Sequence, residues 1–107
     1  MRTHPELDER SRALHALVAE KIRQDPARLD HARAVLARWR ETVSASTQPY
    51  MLEWERILES STDEILAVAV ENSQRGDALR QCSPLACVLT SRERWDFLRE
   101  WSRQHDP

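Results

Sequence analysis

Apolar residues recur at helical spacing along the first part of the chain. Residues 7–23 carry apolar side chains three or four positions apart, the spacing that places them on one face of a helix. These are Leu14, Leu17, Val18 and Ile22. Asp25-Pro26 then ends this helix and begins the next, because Asp is a good N-cap and Pro is favoured at the first helical position. The second helix is predicted from residue 26 to about residue 42, with a buried stripe of Leu29, Ala32, Leu36 and Trp39.

Two further helices are predicted in the middle of the chain. The polar stretch at residues 44–48 is a short connector, after which Pro49 begins a third helix. Its apolar stripe contains Tyr50, Met51, Trp54, Ile57 and Leu58. Ser61 and Glu64 have the spacing of a capping box, which begins a fourth helix. Because residues 65–70 are apolar on every face, we predict that this helix lies at the centre of the fold.

The last third of the chain contains a glycine, a proline and a final helix. Gly76 stands where the left-handed residue that ends a helix is expected, and a short helix follows it. Ser83-Pro84 then begins a segment that allows only one or two turns. Thr90 and Glu93 form a second capping box, which begins the last helix. On that helix one face is predicted to carry Trp95, Leu98 and Trp101.

The composition agrees with a fold made of helices alone. The 107 residues include a single Gly, whereas tight turns between strands need several positions that Gly occupies best. A chain of this length corresponds to one domain. We therefore predict that residues 1–107 form a single all-α domain, a compact bundle of five to six helices with short connections.

Charge and hydropathy limit the partners and the cellular locations that fit this sequence. The net charge is −2, so no overall positive field attracts nucleic acid. Lys21 is the only lysine, which indicates either a GC-rich genome or an interface where the guanidinium fork pairs carboxylate or phosphate. No apolar run reaches the ~20 residues of a membrane span, and the N-terminal residues lack the apolar segment of a secretory signal. We therefore predict a cytoplasmic protein without membrane association, whose two cysteines are reduced.

Patterns of catalytic and metal-binding residues are weak. Cys82 and Cys87 lie in the apolar stretch CSPLACVL, where cysteine normally packs as a small hydrophobic residue. The four histidines are scattered singly, and one Gly cannot build a phosphate-binding loop. Acidic residues sit beside arginines, as Glu93 does beside Arg92 and Arg94, which is typical of solvated ion pairs or of acids that interact with a helix dipole. We therefore predict no enzyme activity, no metal and no cofactor.

Two features indicate binding to another macromolecule. The last helix combines Trp95 and Trp101 with four arginines, and Trp and Arg are enriched at interface hot spots. We expect Trp95 to lie in the core. For Trp101, the sequence fits a core position and an interface position equally well. The second feature is the elbow, defined as residues 79–89, whose apolar side chains either fold back onto the central helix or enter a partner's groove. We expect these apolar side chains to fold back onto the central helix.

Two alternatives remain open. Several helices joined by tight turns satisfy the crude geometry of a helix-turn-helix DNA-binding regulator. No helix presents polar and basic residues uninterrupted by acids, however, and the net charge is acidic, so nucleic acid is not the expected partner. The other alternative is a helical homodimer of structural role, which would need no second protein.

Most of residues 14–95 falls in three distinctive stretches, ALHALVAEKIRQDPARLDHARAVLARWR, PYMLEWERIL and LRQCSPLACVLTSRERW. These resemble small, all-helical bacterial antitoxin-like proteins, whose genes lie beside nucleotidyltransferase-type toxins of toxin–antitoxin pairs. The most distinctive motif is LRQ-x-SP followed by VLT-x-RERW. The chain departs from the pattern at Cys82, Leu85 and Cys87, where Ser, an aromatic residue and Gly are expected.

The resemblance implies an antitoxin that neutralises its cognate toxin by direct contact, either covering the toxin's active site or holding it in an inactive geometry. Polar residues of the motif become candidate partner contacts, and the last helix adds two more residues to the set. The candidates are Arg80, Gln81, Ser83, Arg92, Arg94, Trp95, Arg99 and Trp101. Trp39 and Trp54 are expected to support the fold.

Overall fold

The computed structural model describes residues 5–105 and contains six α-helices and one short 3₁₀ helix. No strand occurs among these residues, which confirms the predicted all-α bundle of five to six helices. The 3₁₀ helix, Pro84–Val88, lies between α5 and α6 and forms the centre of the elbow. The α-helices are α1 (Pro5–Gln24), α2 (Arg28–Thr42), α3 (Gln48–Leu58), α4 (Thr62–Ala69), α5 (Gln74–Gln81) and α6 (Ser91–His105).

Side-chain caps fix three of the helix starts that the sequence predicts, those of α4, the 3₁₀ helix and α6. The Ser61 hydroxyl accepts a hydrogen bond from the Glu64 backbone N–H at 3.2 Å, at the start of α4. Ser83 accepts from the Leu85 N–H at 3.1 Å, at the start of the 3₁₀ helix. The second helix begins two residues later than predicted, because residues 26–27 form a turn in which the Arg28 N–H donates to the Asp25 carbonyl.

One apolar core collects the buried faces of α1 to α5 and of the elbow. Trp54 on α3 is its largest fully buried side chain. The indole N–H of Trp54 donates to the Leu79 carbonyl oxygen at 2.9 Å, so the core also satisfies its one polar aromatic group. The other residues of the cluster with the lowest exposure include Val18, Ile22, Ala32, Met51, Ile65, Ala69 and Leu85.

The elbow folds back onto its own protein, as expected. Leu79, Leu85, Val88 and Leu89 are buried within the core cluster. The 3₁₀ helix packs mainly against α2 and α1, whereas α4 was the predicted neighbour. The four buried side chains are therefore unavailable to a partner's groove.

The apolar run at residues 65–70 predicted a central position for α4, but the helix is buried on one side only. The helix has only two turns, and its buried residues Ile65, Leu66 and Ala69 lie on one side. Ala67 and Val70 are exposed. The stripe of α3 is likewise narrower than predicted, because Tyr50 is exposed near the first turn of that helix. The apolar run therefore corresponds to a short amphipathic helix, with Ala67 and Val70 on its exposed side.

Gly76 does not end a helix. It lies in the first turn of α5, with a backbone that is not left-handed, and its N–H donates to the Ser73 hydroxyl at 2.9 Å. A Cβ added at this position would lie 2.2 Å from the Glu71 carbonyl oxygen. Gly is present because the chain leaving α4 passes directly against the start of α5, a close approach that only a residue without a side chain permits.

Candidate functional site

Helix α6 is fixed to the rest of the protein through its first turn. Glu93 and Thr90 form a reciprocal cap, in which each backbone N–H donates to the other residue's side chain at 3.1 and 2.9 Å. The Arg28 guanidinium binds the Glu93 carboxylate through two bonds of 2.8 and 2.9 Å and also donates to the Val88 carbonyl. Lys21 approaches the same carboxylate at 3.6 Å. The Glu93 cluster (Lys21, Arg28, Thr90, Glu93) therefore joins α1, α2, the elbow and α6.

The cluster strongly favours the ionised form of its carboxyl group. The Arg28 hydrogen bonds, together with the Thr90 N–H, lower the pKa of Glu93 to about 2. The sequence predicted either a solvated ion pair with the neighbouring arginines or an interaction with the helix dipole. Glu93 does lie in the first turn of α6, but its ion-pair partner is Arg28, a residue 65 positions away in the chain. The capping-box spacing identified Glu93 as a structural residue, but nothing in the local sequence identified Arg28 as its partner.

Replacing Glu93 with Gln is expected to lower the free energy of unfolding at pH 7 by about 2 kcal/mol, because the charge that binds Arg28 is lost while the side-chain shape is kept. A lowered carboxyl pKa stabilises the protein above the unfolded value, and this stabilisation disappears as the pH falls towards the folded value. The difference between wild type and variant should therefore shrink from about pH 5 to pH 2. Urea unfolding at pH 5 and at pH 2 measures this difference. Glu100→Gln, at an exposed position of α6, is the control. Equal stabilities of the two variants at pH 7 would contradict the anchoring role of Glu93.

The inner side of α6 is bonded to the elbow and borders a groove shared with α1. The Arg94 guanidinium donates to the Ala86 carbonyl at 2.7 Å, which ties the helix to the 3₁₀ segment. Trp101 is half-buried, stacks between Phe97 and His105, and lines a small groove against α1. The other residues of this groove are Glu9, Arg12, Ala13, Ala16 and Val70. Trp101 thus contacts its own chain, and Arg94 is exposed but already engaged.

The outer side of α6 presents a tryptophan between two arginines. No residue of α6 is buried, and Trp95 is 61% exposed, more than any other large apolar residue among those described. The side chains of Arg92 and Arg99 are 83% and 66% exposed. Both reach the Asp96 carboxylate, at 3.2 and 3.5 Å. We call Arg92, Trp95 and Arg99 the outer face of α6.

The expectation that Trp95 belongs to the core is wrong. Six residues separate Trp95 from Trp101, which places them about 120° apart around a helix. Both therefore cannot face the same neighbour, and α6 turns its Trp101 side towards the groove with α1. Trp95 is left in solvent, where large aromatic side chains are uncommon.

Two of the predicted partner contacts lie inside the protein. The Arg80 side chain is 1% exposed, donates to the Ala69 carbonyl at 3.1 Å and to the Asp77 carboxylate at 2.8 Å. Ser83 is buried and caps the 3₁₀ helix. A partner that docks on the folded surface cannot reach either side chain, so both residues are removed from the candidate site. Their polar character reflects internal hydrogen bonding, which sequence alone did not distinguish from surface exposure.

Gln81 is exposed but belongs to a different surface. It lines a groove of about 500 Å³ with residues of α1, α3 and α5, including Asp8, Tyr50 and Asp77. The structure therefore brings three of the predicted residues together on the outer face of α6 and leaves Gln81 apart from them. The expected supports lie where predicted, with Trp54 fully buried and Trp39 packed partly buried against the core.

The nucleophilic and basic side chains are poorly placed for chemistry. Burial raises the pKa of the Cys82 thiol, which disfavours the reactive thiolate. His15 is buried, and desolvation, with a smaller effect of Arg80 and Arg94, lowers its pKa to about 4. Its Nδ1 donates to the Ser11 carbonyl at 2.8 Å, and its Nε2 is enclosed without a protein partner. Among residues 5–105, no three His, Cys, Asp or Glu side chains are grouped as metal ligands would be.

Comparisons of this chain with known protein families, with curated proteins and with solved structures found no match. Within the part of the chain that the structure describes, none of the helices has the length and apolar composition needed to cross a bilayer.

Proposed function

We propose that this chain is an antitoxin-like protein of the cytoplasm that neutralises a cognate toxin, of the nucleotidyltransferase type, by direct protein–protein binding. The observation that carries the proposal is the outer face of α6, where an exposed tryptophan stands between two arginines on a helix with no buried residue. Trp and Arg together dominate interface hot spots. The resemblance of the LRQ-x-SP and VLT-x-RERW motif supplies the class of partner.

Binding, and not catalysis, is the proposed activity. The thiol of Cys82 and the imidazole of His15 are the side chains closest to catalytic types, and burial works against the reactive form of the first and the accessibility of the second. A binding protein needs neither. It needs a surface that loses water favourably when a partner covers it, and an exposed indole provides that.

The proposed mechanism uses α6 as a preorganised docking element. The Glu93 cluster fixes the first turn of the helix, and near the other end the half-buried Trp101 stacks on Phe97 and His105 beside the groove shared with α1. Little backbone freedom then needs to be lost when the outer face meets the toxin, which lowers the entropic cost of binding. The bound chain would cover the toxin's active site or hold the toxin in an inactive geometry.

Replacing Trp95 with Ala is expected to weaken binding to the toxin-type protein encoded by the adjacent gene by about 30-fold, since a hot-spot tryptophan contributes about 2 kcal/mol or more. The melting temperature of the free variant should stay unchanged, because Trp95 makes no core contact. Isothermal titration of the two purified proteins measures the affinity. Leu52→Ala is the matched control, because Leu52 is also an exposed large apolar residue but lies on α3.

Other results would point to different functions. Failure of the two wild-type proteins to form a stoichiometric complex would contradict the proposal. Salt-sensitive binding to the chain's own promoter DNA would then favour the regulator. A melting temperature that rises with protein concentration, with no second protein bound, would favour the homodimer.

A further inference from the structure

We propose that the outer face of α6 recognises an acidic surface of its partner, in which two carboxylates flank an apolar pocket that receives Trp95. This inference rests on the proposed function and specifies the chemistry of the partner's surface. It is carried by the exposure and spacing of three side chains and by the charges around them.

The two arginines lie one turn to either side of the tryptophan. Arg92 precedes Trp95 by three residues and Arg99 follows it by four, so all three side chains are neighbours on the helix surface. Seven residues of helix correspond to about 10 Å along the axis. A complementary partner therefore presents carboxylates about 10 Å apart, on either side of a pocket for the indole.

Both guanidinium groups keep most of their donors free for a partner. Each guanidinium carries five N–H donors. Arg92 contacts Asp96 through Nε, and Arg99 contacts it through one terminal nitrogen at 3.5 Å. One carboxylate is thus shared between two cations. The terminal fork of Arg92 makes no hydrogen bond to the described residues, whereas one nitrogen of the Arg99 fork is engaged by Asp96. A partner carboxylate can bind such a fork through two parallel bonds.

The charge on this side of α6 is opposite to that of the whole chain. Arg92, Arg99 and Arg103 stand against Asp96 and Glu100, which leaves a positive excess on a chain of net charge −2. Glu93 does not offset this excess, because Arg28 and Lys21 bind it on the inner side of the helix. The fold therefore turns one acid inward and leaves arginines around the exposed indole.

An acidic protein surface fits this arrangement better than a nucleic acid does. Asp96 and Glu100 lie between the arginines along the same stripe of α6 and pair with them. Closely spaced phosphates would meet these carboxylates as well as the guanidinium groups, and like charges repel. Individual carboxylates on a protein can be placed opposite Arg92 and Arg99 alone.

Charge reversal at Arg99 tests the inference. Arg99→Glu is expected to weaken binding of the purified adjacent-gene protein about tenfold or more, because a partner carboxylate would then face a carboxylate. Arg38→Glu is the control, because it reverses the charge of an exposed arginine on α2. It changes the net charge by the same amount as Arg99→Glu and should leave the affinity near that of wild type. Arg99→Gln should give an intermediate loss, which keeps the test valid if the reversed helix frays. Wild-type affinity should fall as salt rises, and less steeply for Arg99→Gln.

The possible failures are distinguishable. If the wild-type proteins bind but Arg99→Glu and Arg38→Glu behave alike, the acidic-surface inference is wrong while the proposed function stands. If the wild-type proteins do not bind, the proposed function itself fails. Binding of a short duplex DNA that Arg99→Gln abolishes and Arg38→Gln does not would overturn the inference in favour of phosphate recognition.

Discussion

Replacing Arg80 with Ala is expected to lower the free energy of unfolding by about 3 kcal/mol. The Arg80 side chain is 1% exposed and joins the end of α4 to α5 through the Ala69 carbonyl and the Asp77 carboxylate. Alanine would leave the buried carbonyl without a donor and would open a cavity in place of the side-chain stem. Asp77 is partly exposed and can regain water, which keeps the loss near the lower end of the range for broken buried ion pairs. Equilibrium urea unfolding measures the change.

Two controls separate stability from binding at this position. Arg38→Ala removes an exposed arginine and should change the free energy of unfolding by less than about 0.5 kcal/mol. Arg80→Lys keeps the charge but not the planar fork, so it should fall between wild type and Arg80→Ala. If Arg80→Ala were as stable as wild type and yet bound the partner weakly, Arg80 would be a partner contact after all.

Arg80 shows why a polar residue in a distinctive motif is an ambiguous signal. Arg80 lies close to Gln81 and Ser83 in the sequence, and all three residues were predicted to contact a partner. In the fold, successive positions of α5 and the elbow point in different directions, so Gln81 is exposed while its neighbour is buried. A buried arginine is uncommon enough that exposure was the reasonable prediction. Only the positions of Ala69 and Asp77 reveal that both terminal nitrogens of Arg80 are used internally.

Local signals predicted the helices well because their energetics are local. A serine or threonine followed three residues later by glutamate satisfies free N–H groups of the same turn, so Ser61 and Thr90 identified the starts of α4 and α6 directly. Pro49 marked the first turn of α3 for the same reason. These contacts span three residues, and no tertiary information is needed to recognise them.

The orientation of α6 could not be predicted in this way. Its sequence has apolar residues on more than one side, and periodicity alone does not say which side meets the core. The choice depends on contacts with distant residues, above all the bond between Glu93 and Arg28. That contact, together with the groove against α1, leaves Trp95 outside and places Trp101 against the protein. The candidate site is therefore a tertiary property, although its residue types were recognisable from the sequence.

Replacing Gly76 with Ala is expected to lower the free energy of unfolding by about 3 kcal/mol, although alanine is a better helix former by about 1 kcal/mol. The new Cβ would stand 2.2 Å from the Glu71 carbonyl oxygen, a backbone atom that cannot rotate away. Either the chain between α4 and α5 or the first turn of α5 must then move. The Cβ would also approach a terminal nitrogen of Arg80 at 3.2 Å, so the movement would strain the buried arginine as well. Thermal and urea unfolding of the variant measure the loss.

The outcome at Gly76 separates two reasons for a glycine that look identical in a sequence. Gln74→Ala, at the exposed first residue of α5, is the control and should change the free energy of unfolding by less than about 0.5 kcal/mol. A left-handed helix end would tolerate Asn in place of Gly, whereas a close approach to a carbonyl tolerates no side chain. Gly76→Asn should therefore be at least as damaging as Gly76→Ala. A stability order in which Asn is tolerated and Ala is not would restore the interpretation of Gly76 as a helix terminator and would contradict the contact with Glu71.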